Sequence, residues 1–269
     1  MSVYAVCRRV LLVIVLMAGA ALSSSSMAQP VPAVVEQESP SRVPRFLRWA
    51  VQDAGALVTS VPTRRSLYVL GVGAGLAALS YYDQPLTARA ARIQDQGFIV
   101  AVEEVGNVKY IRPAAVGLFA GSLLVGSERF QDAAYTSLQA VLFANAITNT
   151  LKFVFGRVRP RYADGPMDFQ PFSGNTSFPS GHATTAFAFL TPWLMYYPGV
   201  GTYGLLLVAG GTAFSRLATN VHWMTDVLAG STIGFTTGYF LAQRHQRRNP
   251  RLRVSPTFGL QHAGLTISF

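Results

Sequence analysis

Apolar residues gather along the chain in blocks separated by short polar breaks. Six blocks stand out, at 66–82, 111–126, 133–155, 183–197, 203–218 and 227–242. All are rich in Ala, Gly and Leu and of helical length, and no alternating strand pattern competes with them before residue 252. The breaks carry turn residues, at Asp83-Gln84-Pro85, 157–165, Pro198-Gly199 and Asn220. The pattern predicts an all-α bundle of about six apolar helices. A short amphipathic helix is expected over 45–60. Stretches 252–260 and 264–269 are expected to pair as a small C-terminal β-hairpin.

A membrane-spanning helix needs about 20 mostly apolar residues. Several of the blocks are nearer 15 residues and are diluted with Gly, Ser and Thr. Small residues also suit close helix packing within a bilayer. Length alone is compatible with a bundle that is membrane-embedded or only membrane-associated.

The two ends change this picture. Arg8 and Arg9, the apolar stretch 10–22 and Ser26-Met27-Ala28 form a basic region, a hydrophobic core and a small-residue cleavage site, so 1–28 is expected to be a signal peptide. Residues 29–65 follow as a Pro-rich linker and the amphipathic segment, 66–242 as the main domain, and 243–269 as a basic tail with the hairpin. The single cysteine, Cys7, precedes the apolar core, so cleavage leaves no thiol and excludes disulfide chemistry. Cleavage also removes two positive charges, taking the formal charge from +10 to +8. A basic exported chain suits phosphate groups or membrane surfaces as partners, and no nucleic-acid module is visible.

Three polar clusters interrupt the apolar pattern. In Ser215-R-L-A-T-N-V-His222-W-M-T-Asp226, the last two named residues stand four apart. On a helix that places them on one face, where the carboxylate takes the Nδ1 hydrogen and leaves Nε2 a better base or nucleophile. In Lys152-F-V-F-G-R-V-Arg159-Pro160, two cations stand seven apart, two helical turns, and repel unless an anion lies between them. Arg157 and Arg161 are expected to face solvent or lipid headgroups. In Pro179-Ser180-Gly181-His182, Ser180 is a natural N-cap and Gly181 permits close approach of an oxyanion to a helix N-terminus. With Arg216, this set supplies three cations, one helix N-terminus and two histidines. Such an inventory fits phosphoryl transfer, with one histidine attacking phosphorus and the other protonating the leaving group. His245 and His262 fall in the tail, and no carboxylate cluster points to a metal site.

Lys152-x6-Arg159-Pro160, Pro179-Ser180-Gly181-His182 and Ser215-Arg216-x5-His222-x3-Asp226 together resemble the three-part signature of the type 2 phosphatidic acid phosphatase (PAP2) and vanadium haloperoxidase superfamily. The resemblance implies metal-independent hydrolysis of phosphate monoesters or pyrophosphates through a phosphohistidine, with no cofactor. Position by position, it makes His222 the nucleophile, Asp226 its orienting partner and His182 the general acid. Lys152, Arg159, Ser180, Gly181 and Arg216 become the phosphate holders. Lipid phosphates are the leading substrate class: phosphatidate, phosphatidylglycerol phosphate, isoprenyl pyrophosphate or the lipid A phosphates. A soluble periplasmic acid phosphatase, a vanadium haloperoxidase and a non-catalytic lipid-binding protein are the alternatives.

Around these motifs, Asn145 and Asn149 share a stripe with Lys152, where interhelical hydrogen bonding is the simplest role. Trp223 is open to three readings: substrate stacking, a membrane interface or plain packing. The resemblance also puts the motifs on the exported side of an inner membrane or in the periplasm. That conflicts with a simple span count from residue 29, which carries Lys152 to the cytoplasm. The conflict is resolved if one early block does not span, or if the whole bundle is periplasmic.

Overall fold

A computed structural model describes residues 45–59, 63–248, 253–259 and 262–268. The expected signal peptide and the linker up to residue 44 lie outside the described residues. Each apolar block becomes a helix, and two more helices fill the interval between the first two blocks. In chain order the helices are α1 (Arg45–Thr59), α2 (Thr63–Ser80), α3 (Asp83–Ala90), α4 (Gly97–Val105), α5 (Val108–Ser122), α6 (Glu128–Phe155), α7 (Gly181–Tyr196), α8 (Val200–Ala218) and α9 (Met224–Arg248). A single 3-10 turn, Ala91–Ile93, separates α3 from α4. The nine helices among the described residues are the six expected from the apolar blocks, the expected amphipathic helix as α1, and the two additional ones, α3 and α4. Helices α3 and α4 were hidden because they are short and their stretch mixes charged with apolar residues.

Local chemistry sets several boundaries. Ser127 accepts the Phe130 N–H at the start of α6, and Asn107 accepts that of Lys109 at the start of α5. Gly156 ends α6 in the left-handed region at φ 54°, and a side chain there would meet Gln170 O at 1.8 Å. Helix α6 therefore stops before Arg159, which leaves from the following loop instead of the helix face that the spacing suggested. At the other end, α9 continues through Arg244, His245 and Arg248. The start of the basic tail is thus helix, and His245 is fully buried, its Nε2 2.7 Å from Asp53 Oδ2 of α1.

Helix α7 lies at the centre, against α6, α8 and α9. The core is built from small residues: Ala140, Val141 and Ala144 of α6, Ala188 of α7 and Leu241 of α9, with Phe143, Phe189, Ile233 and Phe240 around them. Gly230, Gly234 and Gly238 recur every fourth residue along α9 and face α7. A Cβ on Gly230 would stand 2.3 Å from Ser180 O, and one on Gly234 2.3 Å from Thr184 O. The two helices meet backbone to backbone because these positions carry no side chain. Interhelical polar contacts tie α6 in as well, with Asn145 bonded to Thr185 of α7 and Arg112 of α5. Asn149 is exposed.

Among the described residues, α6 alone is long and apolar enough to cross a membrane by length and composition, with 28 residues and a mean hydropathy of 1.2. Large apolar side chains also stand exposed along α8, including Val200, Tyr203, Leu207 and Phe214. Beyond α9, strands β1 (Arg253–Gly259) and β2 (His262–Ser268) pair antiparallel, Arg253 opposite Ser268 and Gly259 opposite His262.

Candidate functional site

The three polar clusters meet at one end of the α6–α7–α9 core. Lys152 comes from the last turn of α6 and Arg159 from the loop behind it. Ser180, Gly181 and His182 open α7, Arg216 lies in the last turn of α8, and His222 sits in the turn before α9. Burial, and then the nearby charges of Arg216, His222, Arg159 and Lys152, push the pKa of the His182 ring down to about 3. Asp226, Lys152 and Arg159 act in turn on His222. Gly181 faces Lys152, whose Cε would lie 3.8 Å from a Cβ at that position. The Ser180 N–H donates to Asp226 O across 2.9 Å and joins the first turns of α7 and α9. All eight residues predicted for the site are therefore brought together.

Three details depart from the spacing argument. First, His222 precedes α9, so the turn 219–223 and not a helix face brings it to Asp226. Its Nδ1 stands 3.5 Å from Asp226 Oδ2, longer than a hydrogen bond. That oxygen already accepts the Trp223 N–H at 2.9 Å and the Ser177 hydroxyl. Second, Ser180 occupies the N-cap position but its side chain makes no capping bond. Its buried hydroxyl has no protein partner, nor has the Nε of Arg216. Both are available to donate to an anion. Third, Trp223 is buried and donates its indole N–H to Val158 O at 3.0 Å, so it is a packing residue.

The start of α7 supplies further donors. The first bond of the helix runs from Thr184 N–H to Ser180 O, so the N–H groups of Gly181, His182 and Ala183 precede it and point out of the helix end. Together with Lys152, Arg159 and Arg216 they form a strongly electropositive recess, which favours a tetrahedral oxyanion. Within it, burial pushes the His222 ring below the ordinary imidazole range, against the pull of Asp226. The ring is neutral at neutral pH. Glu103 of α4 pairs with Arg216 through Nη1 and limits the positive charge when no anion is held. Among the described residues no group of three His, Cys, Asp or Glu side chains is placed to hold a metal ion.

Several residues at the site were not legible as such. Thr176 accepts from both clamp cations, through its carbonyl from Lys152 Nζ and through its hydroxyl from Arg159 Nη2 at 3.2 Å. Arg157, expected at the surface, is 1% exposed. It lies between Asp226 and Asp83, a residue read from sequence only as part of a turn. Arg161 does stay exposed, donating to the carbonyls of Thr219 and Asn220.

Comparison with known proteins places this constellation. A family model described as the PAP2 superfamily matches residues 134–250, which contain all eight site residues. The segment 134–250 belongs to the PAP2 superfamily. Two relatives of the chain are named lipid A 1-phosphatase. One, from Rhizobium johnstonii, is 35% identical over 101 residues, which is 35% of this chain and 40% of the relative. The other, from Porphyromonas gingivalis, is 38% identical over 96 residues, 34% of this chain and 19% of the relative. The chain thus spans less than half of the curated relatives it matches. In fold, it is similar to a transmembrane PAP2 type phosphatidylglycerolphosphate phosphatase from Bacillus subtilis, with a TM-score of 0.54 at 23% identity. That likeness covers 70% of this chain and 96% of the other.

Proposed function

We propose that the protein is a metal-independent phosphatase that hydrolyses a phosphate monoester or pyrophosphate of a lipid through a phosphohistidine. The observation that carries this reading is the convergence of two histidines with three cations and the first turn of α7. Lys152, Arg159, Arg216, the Ser180 hydroxyl and the α7 N–H groups hold the three non-bridging oxygens, with Gly181 leaving room for them. The charge neutralisation that a metal would supply comes from these cations. His222 Nε2 attacks phosphorus in line as the bond to the leaving oxygen breaks, and His182 gives that oxygen a proton. The pKa of His182 is held down at about 3 by burial and the surrounding cations until the phosphate's negative charge offsets them. Asp226 steadies the ring as it becomes cationic. His182 then takes a proton from water, whose oxygen attacks the phosphohistidine and releases inorganic phosphate.

A lipid substrate is supported by the apolar surface beside the recess. Phe153, Phe169 and Phe172 are exposed, and Phe153 and Phe172 meet edge to face at 5.4 Å. The relatives named lipid A 1-phosphatase make a lipid A type phosphate the first substrate to assay, before phosphatidate, phosphatidylglycerol phosphate and isoprenyl pyrophosphate. The expected signal peptide supports a cell-envelope location, in the inner membrane or periplasm, with the site on the periplasmic side. Phosphate release from these lipids in detergent, with excess chelator present, tests the reading. Activity is expected to persist in chelator and to disappear in His222→Ala. Tight binding of the lipids without turnover, or full activity in His222→Ala, would overturn it.

A further inference from the structure

Arg157 is a buried guanidinium whose five N–H donors are all taken. Nη1 donates to Asp226 Oδ1 at 2.6 Å and to Thr225 Oγ1 at 2.8 Å. Nη2 donates to Asp83 Oδ2 at 2.7 Å and to Pro166 O, which also accepts from Nε at 3.1 Å. The rings of Phe169 and Trp223 lie 5.0 and 5.3 Å from its central carbon, which keeps water from the group. Asp83 is bound as tightly. It accepts the Thr225 N–H at 2.8 Å on Oδ1, and the Thr225 hydroxyl and Arg157 on Oδ2. Burial raises the Asp83 pKa, but the Thr225 hydrogen bonds and the Arg157 charge oppose that rise, and both oxygens accept from donors, as an ionised carboxylate requires.

This arrangement has an electrostatic consequence. A lone guanidinium against Asp226 would cancel the charge that a cationic ring at position 222 needs. Two carboxylates against one guanidinium leave one negative charge in a dry interior. With His222 neutral the set is anionic, and once the ring bonds to phosphorus and becomes cationic the set is neutral. The guanidinium also fixes Asp226 Oδ1, so that Oδ2 is the oxygen turned toward His222. The charge balance thus favours the covalent state, and the carboxylate is held in one orientation.

We propose that Arg157, anchored by Asp83, is a positioning residue that orients Asp226 and leaves it charged beside the nucleophile. With its N–H groups taken by Asp226, Thr225, Asp83 and Pro166, Arg157 has none left for a phosphate oxygen and acts through Asp226. The proposal rests on His222 being the nucleophile, and it assigns a catalytic consequence to two residues that the three-part signature does not include.

The test compares Arg157→Lys and Asp83→Asn with the parent in the full chain, on one lipid phosphate in detergent. Sites are counted by titration with orthovanadate as a phosphate mimic, so that turnover is expressed per intact phosphate pocket. Lysine keeps the charge but cannot fork between two carboxylates. Both variants are expected to hold KM within about twofold while kcat per titrated site falls about tenfold to a hundredfold. The double variant is expected to be no slower than Arg157→Lys alone, since both changes break the same link. Unchanged kcat per site, or a KM that rises as much as kcat falls, would overturn the proposal. Thr225→Val keeps every charge and removes only the hydroxyl between Asp83 and Arg157. It carries the test if the charge variants do not fold, with an expected fall in kcat of about threefold to tenfold at unchanged KM. His222→Ala run in parallel separates the two claims. If it stays active, the nucleophile assignment fails. If it is inactive while the other variants turn over normally, only the role of Arg157 and Asp83 fails.

Discussion

The N–H of Ser180 donates to the carbonyl of Asp226 across 2.9 Å, so the helix that carries His182 and the helix that follows His222 are joined at their first turns. The bond can form because Gly230, one turn further along α9, lets the backbone of Ser180 approach. His182 and His222, the proposed acid and nucleophile, are thereby placed by main-chain geometry that depends on a position without a side chain.

Gly230→Ala is therefore expected to cost activity and stability together. The new methyl would lie 2.3 Å from Ser180 O, and backbone cannot yield as a side chain tip does. Overpacking of this kind costs about 1–3 kcal/mol. Gly210→Ala in α8, where nothing lies within 4 Å of the added carbon, is expected to be neutral or slightly stabilising. Thermal melts and phosphate release for the pair check the contrast.

His182→Ala is expected to slow the reaction according to the leaving group. For a lipid alcohol, which must be protonated as it departs, the loss is about 100-fold to 10,000-fold. For an activated aryl phosphate, whose leaving group departs unprotonated, the loss is expected to be much smaller. Equal losses on the two substrates would remove His182 from the role of acid.

The acid limb of the rate is expected below the ordinary imidazole pKa of about 6.5, because burial lowers the folded value of His222. The same shift bears on stability. A group whose folded pKa is depressed favours folding above its unfolded pKa, and that contribution is lost as pH falls toward the folded value. Measured from pH 8 downward, denaturant midpoints are expected to fall first, from about pH 6.5, and single-turnover rates only at lower pH, as the depressed folded value of His222 is approached.

Glu103→Gln is expected to tighten product inhibition by inorganic phosphate. Glu103 pairs with Arg216, so a bound phosphate shares that arginine with a carboxylate. Removing the carboxylate's charge is worth about 1 kcal/mol at a partly exposed site, or about fivefold in the inhibition constant. An unchanged constant would mean that Arg216 does not contact phosphate.

Much of the architecture was legible because the six apolar blocks keep helical length and are bounded by turn residues. The eight site residues were legible because the motifs fix their order and spacing. What stayed hidden depends on long-range pairing. Arg157 looks like any charged residue between Gly156 and Val158, and its partner Asp83 lies 74 positions away. His245 likewise reads as part of a basic tail, while its partner Asp53 is 192 positions away. A local pattern cannot report burial that a distant carboxylate makes possible. The helical reading of His222 and Asp226 failed for a related reason: a spacing of four suits a tight turn into a helix as well as a helix face.

The central claim is that His222 carries the phosphoryl group. Rapid acid-free quenching during turnover of a lipid labelled in its phosphate, followed by digestion and peptide mapping, tests it most directly. Label that is stable to base, labile to acid and confined to the peptide containing His222 is the expected result, and it is absent in His222→Ala. Label on His182 or elsewhere, or turnover in His222→Ala at the parent rate, would contradict the account.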